Sequence, residues 1–571
     1  MLRNLLKSIR AGRAVRISRE AVRYMNRGDM LGAERLLRET ITINPSFAPA
    51  YTNLGVVFCE RHRFDEGLAF LRKAVELDPH HAIARVNLAT TLVRGGLTKE
   101  GIAQYQEALR LEPGNPAAHL NVLLPLLSTC DWDAAEAEVN LLVARWQETR
   151  SAAVLDCIAP FSSLLVPVPQ EFRLQIARHH SAQASARVAS VPRLQRAGSR
   201  GHKQLRVGYV SADFHNHATA HLAAGLFEQH DRSRFEIFAY SFGIDDGGEY
   251  RKRLVAAFDH FIDLGTMSFH AAAQRIAGDG IDILVDLKGY TAESRPEIFA
   301  QRPAPIQVSY LGYPGTMGAD FIDYIVADRT VIPESDTRWY TEKVVWMPAS
   351  YQVNDRRQRI ADTVMRRSGF GLSEGFVFCM FNGHAKIERS LFDVWLRILA
   401  GVPGSQLWLR GGHGEKRLRA RASQQGIDPG RLIFAKHLPI PEHLARHRLA
   451  DLFLDTYTCN AHTTARDALW AGLPLLTCPG TGFAGRVAAS LLKAIGLPEL
   501  IAPDLAAYEQ QAIALARNPG RLHALKGRLD ANRLRLPLFD TERFTRDLEQ
   551  AYEKMWEHHV AGAAPRSFAV G

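Results

Sequence analysis

The stretch 454–476 carries the side chains best suited to chemistry. It reads as a buried strand, a polar turn and a helix that opens with His462, Thr463 and Thr464. A helix start presents unpaired backbone N–H groups and the positive end of the helix dipole, which together suit a diphosphate. Asp467 lies one helical turn after Thr464, where a carboxylate can accept ribose hydroxyls. The stretch predicts a nucleotide site, and the alternative is an ordinary helix capped by one of the threonines.

The composition places these residues in a large soluble protein. The 571 residues predict three or four folding units, and 46% hydrophobic with 23% charged residues is typical of globular chains. The six cysteines form no CxxC pair and no short spacing to histidine, which argues against a zinc site or a disulfide framework. No apolar run reaches the length of a membrane span, and the basic N-terminus lacks the apolar core of a signal peptide. We therefore expect a cytoplasmic protein without a membrane partner.

The net charge of +10 comes from two segments. Residues 1–38 hold ten Lys/Arg against three Asp/Glu, and residues 187–206 hold six against none. The first segment indicates a basic helix that starts a helical array, and the second indicates an exposed linker. Neither interleaves aromatic residues as a nucleic-acid groove would, so no nucleic-acid partner is expected.

The N-terminal part repeats with a period of 34 residues. Prolines close successive units at Pro45, Pro79 and Pro113, and small residues recur before them at Ala74 and Ala108. This pattern resembles the tetratricopeptide repeat, in which two helices cross at small residues. The units lie at 14–47, 48–81 and 82–115, followed by a degenerate one at 116–149 with Ala135 at the crossing. An α superhelix with a concave groove is predicted.

Asparagines recur in the same register on the first helix of each unit, at Asn53, Asn87 and Asn121. A row of carboxamides can bind the backbone of an extended peptide, because each is both a donor and an acceptor. The alternative is that they only satisfy a polar inner surface. The repeats therefore predict a module that binds a protein or peptide.

Apolar, β-branched runs alternate with helical lengths in the rest of the chain, in two series. This alternation predicts two parallel sheets with helices on both faces, that is, two Rossmann-like lobes with a ligand at the carboxyl ends of the strands. The predicted strands are 205–211, 235–241, 281–287, 306–312, 321–327 and 344–347, and then 376–382, 406–410, 432–435, 452–455 and 473–478.

Long motifs carry a resemblance over almost the whole chain. They read VGYVSADFHNH, RPAPIQVSYLGYPGTMGADFIDYIVAD, FNGHAKI and PEHLARHRLADLFLDTYTCNAHTTARDALWAGLPLLTCPG. With repeats in front, they resemble the protein O-linked N-acetylglucosamine transferase family. The resemblance implies an inverting glycosyltransferase of the GT-B type that moves N-acetylglucosamine from UDP-N-acetylglucosamine to Ser/Thr hydroxyls of proteins. It implies no cofactor and no metal, with UDP as the product.

The resemblance also implies a division of the chain. A superhelix of tetratricopeptide repeats is expected at 1–150, and a helical linker at 151–204. The GT-B N-lobe would span 205–358, and the UDP-binding C-lobe would span 359–540. A C-terminal helix and tail, 541–571, would pack back on the N-lobe.

Nucleotide-binding roles follow from the motifs that match. The resemblance implies that His443 stacks on uracil, that Asp467 binds the ribose, and that Thr463 and Thr464 bind the phosphates. His462 would lie beside phosphate and sugar. In FNGHAKI, Lys386 would neutralise the leaving diphosphate, because without a cation the protein must supply the positive charge. For the loop LGYPGTMG, the expectation is a close approach of Gly312, Pro314 and Gly315 to the sugar and acceptor.

Two N-lobe residues are catalytic candidates. The resemblance places His217 in the first strand-to-helix turn, where an imidazole could take the acceptor's proton. It could instead only orient the acceptor, with water-mediated or substrate-assisted deprotonation. Asp279, in the turn DGIDILV, matches an acidic position offered as a base or relay, and a structural role is equally open.

Departures from the family pattern leave other functions open. Animal members have Gln where this chain has Gly383, Lys where it has Pro441 and His where it has Asp282. Related proteins use GDP-fucose as the donor or glycosylate Asn. A different class of function is a peptide-binding scaffold whose lobes sense nucleotide sugar with weak or no turnover.

Overall fold

The computed structural model describes residues 2–26, 29–192, 194–195 and 203–571. The chain divides into two compact units, Met1–Ala159 and Pro160–Gly571. Residues 193 and 196–202 of the predicted basic linker lie outside the described part. Across the described ranges, no helix has both the length and the apolar character needed to cross a membrane.

The first unit is built from helices that pack in consecutive pairs, α1 on α2 through α7 on α8. Its helices are α1 (Leu2–Asn26), α2 (Met30–Ile43), α3 (Ala48–Glu60), α4 (Phe64–Leu77), α5 (Ala82–Arg94), α6 (Thr98–Leu111), α7 (Pro116–Ser128), α8 (Trp132–Thr149) and α9 (Ala152–Leu155).

Small residues allow the helices of a pair to approach closely. A Cβ on Gly67 of α4 would lie 2.9 Å from the carbonyl oxygen of Gly55 on α3. One period later, a Cβ on Gly101 of α6 would lie 2.9 Å from the carbonyl oxygen of Ala89 on α5. The period of 34 residues therefore records a packing requirement at each crossing.

The second unit contains two sheets, and every strand pair in them is parallel. The first has the order β13-β7-β6-β5-β4-β1-β2-β3, and the second has the order β10-β9-β8-β11-β12. Two parallel sheets after a helical array confirm the predicted fold at this level. The strands are β1 (Leu205–Ser211), β2 (Phe235–Ser241), β3 (His260–Asp263), β4 (Ile283–Asp286), β5 (Ile306–Ser309), β6 (Tyr324–Ala327), β7 (Lys343–Trp346), β8 (Val377–Met380), β9 (Gln406–Arg410), β10 (Leu432–Ala435), β11 (Leu452–Leu454), β12 (Leu475–Leu476) and β13 (Phe568–Ala569).

Two helices precede β1, and further helices follow or connect the strands of both sheets. They are α10 (Pro160–Ser163), α11 (Gln170–Val188), α12 (Ala218–Gln229), α13 (Glu249–Ala257), α14 (Phe269–Gly278), α15 (Pro296–Ala300), α16 (Arg389–Gly401), α17 (Glu415–Gln424), α18 (Ile440–Arg446), α19 (Thr463–Trp470), α20 (Val487–Ala494), α21 (Leu505–Ala516), α22 (Pro519–Asn532) and α23 (Thr541–Val560).

The strands β3 and β13 were missed by the sequence analysis. The strand β3 has only four residues, and the side chains at both of its ends are exposed. The strand β13 has two residues and pairs with β7 at the edge of the first sheet. Neither has the apolar run by which the other strands were recognised.

The helix α23 packs on the first sheet through buried polar groups. The Tyr552 and Tyr209 hydroxyls lie 3.0 Å apart. The Glu549 carboxylate accepts from the backbone N–H of Asp231 at 2.8 Å and lies 3.0 Å from Nδ1 of His230. Glu549 and His230 have fully buried side chains, so the end of the chain is part of the core of the first sheet.

Candidate active site

The amino end of α19 is held by the carboxyl end of β11. Directly after β11, the carboxylate of Asp455 accepts from the backbone N–H groups of Thr456 at 2.8 Å and Ala461 at 2.6 Å. It also accepts from the Thr477 hydroxyl at 2.6 Å. Burial raises the pKa of Asp455 to about 7. These bonds fix the turn that delivers the chain into α19.

Lys386 lies at this helix end. It belongs to a short 3-10 turn, His384–Lys386, that follows β8. Its Nζ donates to the carbonyl oxygen of Asn460 at 2.6 Å, two residues before His462. A cation and the N–H groups of a helix start are therefore together, which is an anion-binding arrangement.

His462 is the N-cap residue of α19; its imidazole makes no capping hydrogen bond and is neutral. Burial, with the nearby Lys386 cation, lowers the pKa of His462 to about 3. Its Nε2 lies 3.0 Å from the carbonyl oxygen of Ala484. Nε2 must therefore carry the proton, and Nδ1 of the neutral ring is the acceptor atom.

The two threonines are the first residues of α19. The Thr464 hydroxyl donates to the side-chain oxygen of Asn382. The Asn382 amide in turn donates to the Thr456 hydroxyl at 2.9 Å. Asn382 is buried and was missed by the sequence analysis. Its signal was its position two residues after β8, which pairs with β11, the strand that leads to α19.

Asp467 is buried one turn into α19. Burial raises its pKa to about 6, and the adjacent Arg466 opposes this shift. Arg466 lies 3.2 Å from the carboxylate and also donates to the backbone carbonyl of Asp355. Asp467 therefore ionises near neutral pH, and its charged form can accept hydroxyl groups.

His443 lies on α18 and contacts Phe381, with ring centroids 5.4 Å apart. Its ring also lies 4.8 Å from that of His447. Burial, helped by His447 and Arg446, lowers the pKa of His443 far below its usual range. The ring is neutral and flat, which is the form that stacks on a base. Phe381 directly precedes Asn382, so His443 belongs to the same end of the second sheet as Thr464.

His217 is the N-cap residue of α12, the helix that follows β1 in the first sheet, as His462 is the N-cap residue of α19 in the second. Its Nδ1 accepts from the backbone N–H of Thr219 at 3.2 Å and lies 3.4 Å from Asp213. Asp213 is also paired with Lys288 at 2.8 Å. Burial lowers the pKa of His217, and Asp213 opposes this shift while Lys288 adds to it. Asp213 and Lys288 were missed because their pairing depends on β1 and β4 being neighbours.

The glycine loop has a packing reason that the sequence did not show. A Cβ on Gly312 would lie 1.9 Å from the carbonyl oxygen of Leu287, so the close approach is to protein backbone. Pro314 and Gly315 line a small pocket together with Ala484, the residue that holds His462. The loop thus adjoins both Lys288 on its own sheet and the turn beside α19.

Asp279 is separated from the other candidates. It lies at the amino end of β4, where its carboxylate accepts from the Tyr240 hydroxyl at 2.9 Å and from Arg275 at 2.9 Å. His217 follows the carboxyl end of β1, which runs parallel to β4. The two residues therefore lie at opposite ends of the parallel strands of one sheet, and a role of Asp279 as a base or relay stays a prediction beside the structural one.

In the first unit, the three asparagines occupy equivalent half-buried positions on α3, α5 and α7. The Asn121 amide donates to the carbonyl oxygen of Ala117, one turn earlier in the same helix. Its side-chain oxygen remains the group through which Asn121 could accept from a peptide N–H.

Four candidate residues therefore lie on the side of the second sheet where its strands end. They are Lys386, His443, His462 and Asp467, and Thr463 and Thr464 stand beside them at the start of α19. This set offers a cation, helix N–H groups, a flat neutral ring and a carboxylate. These are the groups that phosphate, base and ribose require. The chemistry fits a nucleoside diphosphate.

Comparison with known proteins places this arrangement in one family. A model described as glycosyl transferase family 41 matches residues 129–367 and 361–548. The Arabidopsis thaliana protein named probable UDP-N-acetylglucosamine–peptide N-acetylglucosaminyltransferase SEC is 41% identical over 469 residues, which cover 79% of this chain and 48% of that protein. The Caenorhabditis elegans UDP-N-acetylglucosamine–peptide N-acetylglucosaminyltransferase is 31% identical over 555 residues, covering 76% of this chain and 48% of that protein. The chain thus spans about half the length of these curated relatives.

The fold is also similar to a solved structure. A mutant of the Thermobaculum terrenum O-GlcNAc transferase aligns with a TM-score of 0.70 and 27% sequence identity. The alignment covers 97% of this chain and 99% of that one.

Proposed function

This chain belongs to glycosyl transferase family 41, and we propose that it transfers N-acetylglucosamine from UDP-N-acetylglucosamine to Ser/Thr hydroxyls of proteins. The observation that carries the proposal is the position of Lys386 at the amino end of α19, on the side of the second sheet where its strands end. The relatives from Arabidopsis and Caenorhabditis are named for the same donor and for peptide acceptors.

The donor would bind with its diphosphate at the start of α19. Thr463 and Thr464 would supply hydroxyls and backbone N–H groups, and Lys386 would supply the charge. His443 would stack on the uracil and Asp467 would accept the ribose hydroxyls. His462, neutral and held by Ala484, would lie beside phosphate and sugar.

In the transfer step, the acceptor oxygen would bond to C1 of the sugar as the bond from C1 to the β-phosphate oxygen breaks. UDP leaves with the bonding electron pair, and the anomeric configuration inverts. Lys386 and the helix N–H groups would stabilise the charge on the leaving diphosphate, so we propose that no metal is required. His217 would take the acceptor's proton or orient the acceptor. Gly312, Pro314 and Gly315 would adjoin the sugar and acceptor.

The lobes of this GT-B enzyme would span 205–358 and 359–540, after the linker 151–204, with 541–571 returning to the N-lobe. The helices of 1–150 would form a superhelix whose Asn53, Asn87 and Asn121 bind the acceptor backbone. A cytoplasmic location stays a prediction. The six cysteines are free and buried, which is compatible with a reducing compartment.

A transfer assay with three donors tests the proposal. Purified protein is incubated with a peptide library and labelled UDP-N-acetylglucosamine, UDP-glucose or GDP-fucose, each with and without EDTA. We expect label from UDP-N-acetylglucosamine alone, unchanged by EDTA and released from peptide by mild base, because base eliminates Ser/Thr-linked and not Asn-linked sugars. Transfer from GDP-fucose or base-stable label would identify the alternative chemistries. UDP and peptide binding without transfer would favour the scaffold.

The asparagine row is tested in the same assay. The triple variant of Asn53, Asn87 and Asn121 to Ala should lower transfer to long peptides at least several-fold while leaving the Kd for UDP unchanged. Equal losses for both measurements would contradict a role confined to acceptor binding.

A further inference from the structure

A buried ion pair stands directly behind His217. Nζ of Lys288 lies 2.8 Å from Oδ1 of Asp213, and Oδ2 of the same carboxylate lies 3.4 Å from Nδ1 of His217. The side chains of Lys288 and Asp213 are 6% and 7% exposed, whereas that of His217 is 41% exposed. The three groups form a chain that runs from the interior of the first sheet to an accessible imidazole.

The topology of the sheet produces this chain. The strands β1 and β4 are parallel neighbours, with Val210 opposite Asp286. Asp213 and Lys288 follow these positions by three and two residues, so both leave the sheet at the same edge. The Asp286 carboxylate accepts from the backbone N–H groups of Lys288 at 2.8 Å and Gly289 at 3.0 Å, which fixes the turn that carries the lysine.

We propose, resting on the transferase function above, that Asp213 and Lys288 are positioning residues for His217, the carboxylate orienting the imidazole and the ammonium group balancing the carboxylate. A buried ion pair contributes little net stability, because desolvation offsets much of the attraction. Its action on His217 gives the ion pair a reason to stand where β1 and β4 end.

The two neighbours of Nδ1 select different tautomers. When Nδ1 is unprotonated it accepts from the Thr219 N–H, as at the 3.2 Å contact, and Nε2 then carries the proton and cannot act as a base. When Nδ1 is protonated it can donate to Asp213, and Nε2 then has a free lone pair. Asp213 therefore favours the form able to accept a proton. Without Lys288, the same carboxylate would favour the doubly protonated imidazolium, which accepts nothing.

Other titratable groups face His217, and the test must allow for them. They are His215, with ring centroids 5.7 Å away, His221 and Glu293. The ion pair differs from these groups because its two members are the largest influences on the pKa of His217 after burial: burial lowers the pKa, the Asp213 carboxylate raises it and the Lys288 cation lowers it.

The experiment measures kcat/KM for a peptide acceptor, with UDP-N-acetylglucosamine saturating, against pH in Lys288→Met, Asp213→Asn and wild type. In Lys288→Met, the acid limb of the profile of kcat/KM against pH should move to higher pH. In Asp213→Asn it should move to lower pH, and each shift should be about one pH unit or more. In parallel, NMR titration of protein labelled at histidine Cε1 follows the His217 signal, assigned by its loss in His217→Gln. The Kd for UDP should stay within about twofold of wild type, since phosphate binding is assigned to the second sheet.

Controls keep the result interpretable if Lys288→Met fails to fold around an unpaired carboxylate. Lys288→Arg should restore the wild-type limb, and the Asp213→Asn, Lys288→Met double variant should give a limb between those of the single variants. Arg302→Met, which breaks the 2.9 Å ion pair with Asp323 elsewhere in this sheet, should shift nothing.

Opposite shifts in both readouts would support the proposal. Folded variants with an unmoved His217 titration, or with an unmoved kcat/KM limb despite a shifted titration, would overturn it. A wild-type protein inactive with every donor would instead refute the proposed function, while the NMR titration would still decide whether the pair acts on His217.

Discussion

Replacing Lys386 with Ala removes the cation from the amino end of α19. Nζ of this residue bonds to the Asn460 carbonyl at 2.6 Å, so its position is fixed before any ligand binds. A unit charge about 4 Å away in an effective dielectric of about 20 contributes roughly 4 kcal/mol. Because Lys386 is half-buried, solvent screening reduces this contribution to between about 2 and 4 kcal/mol.

The loss should fall mainly on the step in which the diphosphate leaves. It corresponds to a decrease in kcat of about 30-fold to 1000-fold, since each ~1.4 kcal/mol is a factor of ten. The UDP product carries more negative charge than the sugar nucleotide, so its Kd should increase more than that of UDP-N-acetylglucosamine. The thermal unfolding temperature should change little, because the variant loses one bond to a backbone carbonyl.

Single-turnover kinetics with excess enzyme measure the step directly, and calorimetry gives both Kd values. Lys386→Arg retains the charge and should recover part of the rate. Lys416→Met removes an exposed lysine of α17 in the same lobe and should behave as wild type. A folded Lys386→Ala protein with unchanged single-turnover rate would refute the role assigned to this cation.

Three further predictions concern base, ribose and core. His443→Ala should raise the Kd for UDP about tenfold through lost stacking, whereas His443→Phe should retain most of the affinity; calorimetry distinguishes them, and equal losses would contradict stacking. The affinity for UDP should rise from pH 5 to pH 7 as Asp467, whose pKa burial raises to about 6, becomes charged, and Asp467→Asn should flatten this dependence in a calorimetric pH series. Glu549→Ala should lower the free energy of unfolding by about 3 kcal/mol or more, because it removes the buried acceptor of Asp231 and His230; a denaturant titration with unchanged midpoint would contradict this.

Periodicity and strand patterns predicted most of the fold because they report local packing. The prolines at 34-residue intervals predicted the repeat units, and in the structure Gly67 and Gly101 lie one period apart at equivalent helix crossings. Predicted strand bounds failed where an apolar run begins before its strand does. The run predicted from 321 enters β6 only at Tyr324, since Phe321 still lies in a turn. The strand β13 could not be predicted, because two residues derive their conformation entirely from the edge of β7.

The sequence also indicated some residues of the candidate site and missed others. The residues around α19 are close in sequence or stand in a continuous motif, so the pattern HTTARD together with FNGHAKI indicated them. The ion pair between Asp213 and Lys288 joins positions 75 residues apart, and only the adjacency of β1 and β4 brings them together. Asp279 is the opposite case, a candidate from the sequence that the structure separates from the others. Its turn precedes β4 and so lies at the amino end of that strand, whereas ligands bind at the carboxyl ends of the strands.

Calorimetric titration of UDP into the purified protein, without added metal, tests the central assignment most directly. We expect micromolar binding that Asp467→Ala weakens at least tenfold, with the circular dichroism spectrum unchanged. A folded protein that gives no heat with UDP, or that binds it equally well without Asp467, would contradict the assignment of the nucleotide to the amino end of α19.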